Sequence, residues 1–130
     1  MGGGTIDTAK IGEAIVNTIS FKDELIKVSD SLVISAYMPN PENVYSASLF
    51  LGGGATAEEV AVFELKSGKY AKELEALAKK RIERKKKDFE NYIPAEVAKL
   101  ESPVIVRKSN LVAVCVADDV TEDDILKLLK

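Results

Sequence analysis

The longest amphipathic segment of this chain spans residues 69–92 and reads KYAKELEALAKKRIERKKKDFENY. Its apolar residues recur at steps of three and four, which places them on one face of a helix. Segments with strand-like patterns lie on both sides of it in the chain. We therefore expect a long helix that packs across a β-sheet. The residues of the apolar face are Tyr70, Leu74, Ala78, Ile82, Phe89 and Tyr92.

Eight further segments show periodic patterns separated by turn residues. Asp7 and Thr121 stand where a helix N-cap is expected, and Asp124 completes a capping-box arrangement with Thr121. Residues 21–29 fit either a helix or a break, and Asp30 is the predicted cap of the helix that follows. The predicted shorter helices are 7–19, 30–37, 94–101 and 122–130, and the predicted strands are 44–51, 58–66, 104–108 and 111–117.

The predicted strands form two hairpins joined through the long helix. The segment 111–117 is apolar at every residue, which is typical of a central strand covered on both faces. The fold class is α+β, with a mostly antiparallel four-stranded sheet packed by one long helix and several shorter helices. Residues 5–130 form a single domain, and residues 1–4 are a tether or were introduced by cloning. Whether both hairpins share one sheet stays open.

Composition argues against several kinds of enzyme. The 130 residues include no histidine, so Ser–His and Cys–His nucleophile pairs are excluded within them, and the commonest metal ligand is missing. The single cysteine, Cys115, has no partner for an internal disulfide, and its apolar neighbours predict a buried, unreactive thiol. We expect no cofactor and no metal, and an enzyme is disfavoured without being excluded.

A run of basic residues in the long helix is the main candidate for a binding surface. Residues 79–87 hold seven basic side chains and one acid, while the whole chain has a net charge of −3. Such a cluster is suited to anionic lipid head groups or anionic wall polymers; the alternative is a solvated face paired with acids. Nucleic acid is not expected, because the chain is acidic and no aromatic residue interrupts the run. The basic residues are Lys79, Lys80, Arg81, Arg84, Lys85, Lys86 and Lys87.

Four other features each have a functional and a structural interpretation. The acids of residues 118–124 are suited either to Ca²⁺ or to capping a helix. Glycines 52–54 form either a phosphate loop or a plain flexible loop, and no Lys-Ser or Lys-Thr follows them. Glu58 and Glu59 are either acid–base groups or solvent-facing side chains. Tyrosines line a ligand groove or belong to the core, namely Tyr37, Tyr45, Tyr70 and Tyr92.

Three stretches in this order resemble a known family. They are GATAEEVAVF at residues 54–63, FENYIPAE at residues 89–96 after a basic helix containing Arg81-Ile82, and the apolar strand 111–117 followed by acids. The chain resembles, from about Thr5 onward, a family of small uncharacterised lipoproteins of Gram-positive bacteria that is classified as a domain of unknown function. Ser109 departs from the family pattern, in which glycine is expected before Asn110.

The resemblance implies an extracytoplasmic protein anchored to the membrane through a lipid on an N-terminal cysteine of the precursor. That cysteine is absent here, and glycines 2–4 would be the remainder of the tether. The family brings no catalytic residues. We therefore expect a non-enzymatic cell-envelope domain that binds an anionic membrane surface, a wall polymer or an envelope protein. The alternatives are a small carboxylate-based enzyme acting on envelope glycans and a homodimer that buries an apolar strand edge.

Overall fold

The fold is known from a computed structural model, which describes residues 6–129. One antiparallel sheet contains five strands: β1 (Ile26–Lys27), β2 (Val44–Leu51), β3 (Glu59–Leu65), β4 (Val104–Lys108) and β5 (Leu111–Val116). Their order across the sheet is β1-β2-β3-β5-β4. The predicted α+β class and antiparallel sheet are confirmed, and both hairpins belong to this one sheet. The tether predicted at residues 1–4 lies outside the described residues.

The extra strand, β1, lies in the stretch that fitted either a helix or a break. The helices begin and end close to their predicted limits, except that the last helix ends at Leu126 instead of the predicted residue 130. Asp7 caps the first helix by accepting from the Lys10 N–H, and Thr121 forms a capping box with Asp124. Ser29, and not Asp30, occupies the N-cap of the second helix. The α-helices are α1 (Thr8–Thr18), α2 (Asp30–Tyr37), α3 (Gly68–Glu90) and α4 (Glu122–Leu126), and the 3₁₀ helices are Pro41–Asn43 and Pro94–Glu101.

Helices cover both faces of the sheet. Side chains alternate between the faces of a strand, so each of the four longer strands, β2 to β5, contributes to two cores. Ile15 of α1 and Ile125 of α4 pack against one face of the sheet. Tyr37 of α2 and Leu74 of α3 pack against the other. The central position predicted for β5 is confirmed, because every residue of β5 is buried.

The chain crosses over the sheet once between β3 and β4. Both strands run antiparallel to β5, which lies between them, so β3 and β4 are parallel to each other. The connection between them contains α3. The crossover places α3 over the centre of the sheet, with its buried face toward the start of β3.

Two backbone positions favour glycine, one because of close packing and the other because of its backbone conformation. A Cβ atom on Gly12 would lie 2.2 Å from the Phe50 ring, so the glycine lets α1 pack closely on β2. This close packing explains why glycine occurs here, although glycine weakens the helix by about 1 kcal/mol relative to alanine. Ser109 has a φ of 57°, a left-handed conformation that favours glycine. The family pattern predicts glycine at this position.

Candidate functional site

The seven basic residues of α3 do not form one surface. Lys79, Lys80 and Lys87 are exposed. Lys86 is half-buried, and its ammonium lies 3.2 Å from a carboxylate oxygen of Glu83 in the same helix. Arg84 donates a hydrogen bond of 2.6 Å to the carbonyl of Ala36 in α2. These contacts leave the three exposed lysines as the part of the run that is open to a partner.

Arg81 and Lys85 turn toward the protein and meet on one carboxylate. The Arg81 guanidinium and the Lys85 ammonium each lie 2.8 Å from Oε1 of Glu59. Tyr37 of α2 donates its hydroxyl hydrogen to Oε2 of the same residue. Lys85 also donates to the carbonyl of Ala57 at 2.9 Å. We call Glu59, Arg81, Lys85 and Tyr37 the buried ionic cluster.

Burial and charge oppose each other in this cluster. Burial raises the pKa of Glu59, but the positive charges of Lys85 and Arg81 outweigh it and hold that pKa below its usual value. Burial lowers the pKa of Lys85 more than Glu59 raises it, and Arg81 adds to the lowering. Burial also raises the pKa of the Tyr37 hydroxyl well above its usual value, and the Glu59 charge adds to this effect. The cluster therefore holds an ionised carboxylate and a neutral phenol near neutral pH.

A second buried carboxylate, Glu58, points to the opposite side of β3. Its oxygens accept the backbone N–H groups of Lys22 at 3.0 Å and Asp23 at 2.9 Å. The Lys99 ammonium lies 3.4 Å away and also contacts Glu96 at 3.0 Å. Glu58 therefore joins the loop before β1 to the second 3₁₀ helix.

The prediction that Glu58 and Glu59 face solvent is wrong. Their side chains are 1% and 0% exposed, because β3 is central and both of its faces are covered at this end. Lys85 does not turn its charge outward along the apolar face either, since its ammonium lies inside on Glu59. One signal of this arrangement was present in the sequence. Lys85 continues the spacing of the buried residues Ala78 and Ile82, so a lysine occupies a core position of the helix.

The other candidate features have structural roles. Asp124 caps α4 through the Thr121 N–H at 3.0 Å, as the capping interpretation predicts. A Cβ atom on Gly52 would lie 2.0 Å from a carboxylate oxygen of Asp23, so this glycine permits a close contact between two loops. Among residues 6–129, no group of three or more histidine, cysteine or acidic side chains is arranged to hold a metal ion.

The four tyrosines do not line a common groove. Tyr37 is fully buried, whereas Tyr92 is 67% exposed, which contradicts its predicted place on the apolar face of α3. The helix ends at Glu90, so Tyr92 lies in the loop and the helical repeat does not set its direction. Tyr45 lies in a groove of about 190 Å³ between α2 and β2. Tyr70 borders a separate, smaller depression near α3.

Cys115 is buried in the sheet, as predicted. Burial raises the pKa of its thiol to about 12, and the nearby charge of Glu58 acts in the same direction. A thiol with this pKa is almost entirely protonated at neutral pH, and the protonated form is a poor nucleophile. No helix in the described part of the chain is both long enough and apolar enough to cross a membrane.

Comparison with known proteins places the chain in a family. No curated protein and no solved structure matches the chain. A family model described as "Domain of unknown function (DUF4358)" matches residues 17–117. This match runs from α1 to the end of β5 and includes Glu58, Glu59 and the whole of α3. The chain therefore belongs to the DUF4358 family, whose function is unknown.

Proposed function

We propose that this domain is a non-enzymatic binding module of the bacterial cell envelope that contacts an anionic surface through the outer face of α3. The observation that carries the proposal is the set of exposed lysines on the side of α3 opposite its buried residues. Four exposed acids of α3, Glu73, Glu83, Asp88 and Glu90, lie among the exposed residues of the helix, and the five lysines outnumber them by one. We call these lysines the lysine face: Lys69, Lys72, Lys79, Lys80 and Lys87.

The rest of the domain supports a rigid, positively charged helix in an otherwise acidic protein. The buried ionic cluster engages Arg81 and Lys85 and holds α3 to β3. The lysine face is thus presented on a helix that is fixed to the sheet. Attraction to anionic lipid is about 1 kcal/mol per basic residue near the surface and weakens with salt.

The proposed location of the domain is based on the lipoprotein resemblance, and the proposed kind of partner is based on the charge of the lysine face. A lipid anchor would hold the domain at the outer face of the cytoplasmic membrane, where both anionic lipids and anionic wall polymers are within reach. An envelope protein with an acidic patch is the remaining kind of partner. The enzyme alternative gains no support from Glu58 and Glu59, because both carboxylates are buried and bound to cations or backbone N–H groups.

The test is binding of the purified chain to phosphatidylglycerol vesicles, to phosphatidylcholine vesicles and to purified wall material, at low and high salt. A variant with Lys79, Lys80 and Lys87 changed to Glu is compared with wild type. Removing three lysines is worth about 3 kcal/mol, which is on the order of 100-fold in affinity. We expect wild type to bind the anionic materials in a salt-sensitive manner and the variant to lose this binding.

A matched control separates the lysine face from overall charge. Lys10, Lys66 and Lys127 are exposed and lie outside α3, so changing them to Glu alters the net charge by the same amount. We expect this control to keep most of the binding. Equal loss in both variants would show that only net charge matters. Failure of wild type to bind any anionic material would refute the proposed surface.

A further inference from the structure

The outer edge of β2 is open over half of its length. The short strand β1 pairs only with Leu51 and Phe50 at the far end of β2. Beyond this pairing, one more hydrogen bond follows along β2, from the Val28 N–H to the Leu49 carbonyl at 2.9 Å. In the described part of the chain, no strand pairs with β2 on this side between residues 44 and 48. Within residues 6–129, no strand therefore competes for the outward-pointing backbone groups of this segment.

This edge lacks the charged residues and the proline that often protect an edge strand. The opposite edge of the sheet, β4, carries Arg107 and Lys108 and follows Pro103, and such residues discourage pairing. In contrast, residues 43–51 of the β2 region contain no charged residue and no proline. Beside this edge, the α2 residue Ile34 is 39% exposed. Of the two edges, the β2 edge is therefore the one whose composition permits pairing with another strand.

We propose that two copies of the chain pair antiparallel through residues 44–48 of β2, about a twofold axis at Ser46. The Leu49 carbonyl points outward, and alternate residues of a strand point the same way, so the backbone of Ala47 also points outward. In this register Ala47 of each copy lies opposite Tyr45 of the other. The register of β2 against β3 shifts between Val44 and Ser46. The regular part of β2 that can pair with the second copy is therefore short.

The free segment has the length that this pairing requires. The strand begins at Val44, because residues 41–43 form a 3₁₀ helix that leaves the sheet. At the other end, Val28 occupies the position beside Leu49. A second β2 therefore fits between these limits without displacing β1.

The side chains at this edge are also complementary. A groove of about 190 Å³ lies between α2 and β2, and its lining includes Ile34, Val44 and Ala47. The small side chain of Ala47 leaves room opposite it for the ring of Tyr45 from the second copy. The lining is mostly apolar, with Asp30 and Ser46 as its polar members, and the apolar part favours burial of this ring. The groove of each copy is filled in the same way, as a twofold interface requires.

Charge complementarity favours a second copy over another partner. Glu42 comes just before the paired segment, and Lys27 lies beside Phe50, just beyond the other end of that segment. In an antiparallel pair, Glu42 of one copy and Lys27 of the other therefore lie at the same end of the interface. Glu42 and Lys27 are both exposed. The twofold symmetry then brings together two equivalent Glu42–Lys27 pairs, while the uncharged segment between them causes no like-charge repulsion.

The resulting dimer would contain one continuous sheet. Pairing edge to edge keeps the faces of the two sheets in common, so both copies of α3 would lie on the same side. The two lysine faces would then act together on one anionic surface and increase avidity. The dimer itself rests on the β2 edge and does not depend on the proposed binding function.

The test is the molar mass of the full chain in solution, measured by sedimentation equilibrium across a wide range of protein concentrations. We expect a concentration-dependent change from the monomer mass of 14.1 kDa to twice that value. Ala47→Pro removes the outward N–H and should leave a monomer at every concentration. Circular dichroism of this variant shows whether it retains the native fold.

The charge pair provides a second test that does not depend on Ala47→Pro folding. Glu42→Lys and Lys27→Glu should each raise the dimer Kd by roughly 3–10-fold, because each change affects two exposed pairs. The double variant should return to within about twofold of wild type. A wild-type chain that stays monomeric, a folded Ala47→Pro variant that still dimerises, or single charge variants with an unchanged Kd would each overturn the proposal.

Discussion

The buried ionic cluster gives the most direct prediction about stability. Glu59→Gln keeps the shape of the side chain and removes the charge that Arg81 and Lys85 share. Removing one partner of a buried ion pair costs about 3–5 kcal/mol, because a buried charge is left without compensation. The Arg81 side chain is 16% exposed and can turn partly toward water, so we expect a loss near the lower limit, about 3 kcal/mol.

A comparison between two variants makes this prediction specific to the geometry. Lys85→Met leaves Glu59 bound to Arg81 and Tyr37, so no carboxylate charge is left alone. The main loss is one ion pair and the hydrogen bond to the Ala57 carbonyl, which is worth about 1–2 kcal/mol. Glu59→Gln should therefore destabilise the domain more than Lys85→Met does. The reverse order would refute the assignment of Glu59 as the shared counter-ion.

The pH dependence of stability provides an independent check. The folded-state pKa of Glu59 lies below its unfolded value of 4.5, so its stabilising effect is fully present above that pH. The effect is lost as the pH falls from 4.5 through the lowered folded-state pKa. The difference in unfolding free energy between wild type and Glu59→Gln should therefore be constant at pH 6–7 and should shrink in acid.

The assay is urea unfolding followed by circular dichroism at several pH values, with thermal melts alongside. A loss of 3 kcal/mol corresponds to a fall in Tm of about 10 °C for a domain of this size. Wild type should have a free energy of unfolding of about 5–15 kcal/mol, so the variant should still fold. A change below about 1 kcal/mol, or a difference that persists unchanged at acidic pH, would refute the reasoning.

Two further predictions concern packing. Because burial raises the pKa of Cys115 to about 12, the native protein should not react with iodoacetamide at pH 8, whereas urea-unfolded protein should react fully; rapid labelling of the native protein would contradict the burial. Gly12→Ala should destabilise the domain by about 1–2 kcal/mol in urea unfolding, because the clash with Phe50 exceeds the gain in helix propensity. Gly68→Ala, where a Cβ atom meets no atom within 4 Å, is the control and should leave stability unchanged or raise it.

The elements that were predicted correctly depend on local patterns. Helical periodicity located α3, and the predicted 44–51 strand has the bounds of β2. The Thr121 cap was also found, because a capping box involves only neighbouring residues. The two residues of β1 show no pattern of their own, since their extended conformation depends on pairing with the end of β2. Local propensity cannot predict a strand this short.

The burial of Glu58 and Glu59 could not be predicted from local patterns alone. A charged pair at the start of a strand is usually exposed, and here tertiary structure determines the outcome. Only after α3 is placed over β3 does Lys85 lie beside Glu59. The candidate surface was therefore predicted in part. Three residues of the lysine face, Lys79, Lys80 and Lys87, belong to the predicted basic run, whereas Arg81 and Lys85 of that run serve the interior.

The crossover between β3 and β4 has a consequence for the order of folding. The β2–β3 hairpin can form early, because its strands are close in sequence, but β5 can join β3 only after the chain from residue 66 to residue 110 has closed into a loop. Pairing between distant segments slows folding. Before β5 arrives, both edges of the hairpin are open in the same molecule. A newly synthesised chain is therefore most prone to pairing with a wrong strand at this stage, before its core is complete.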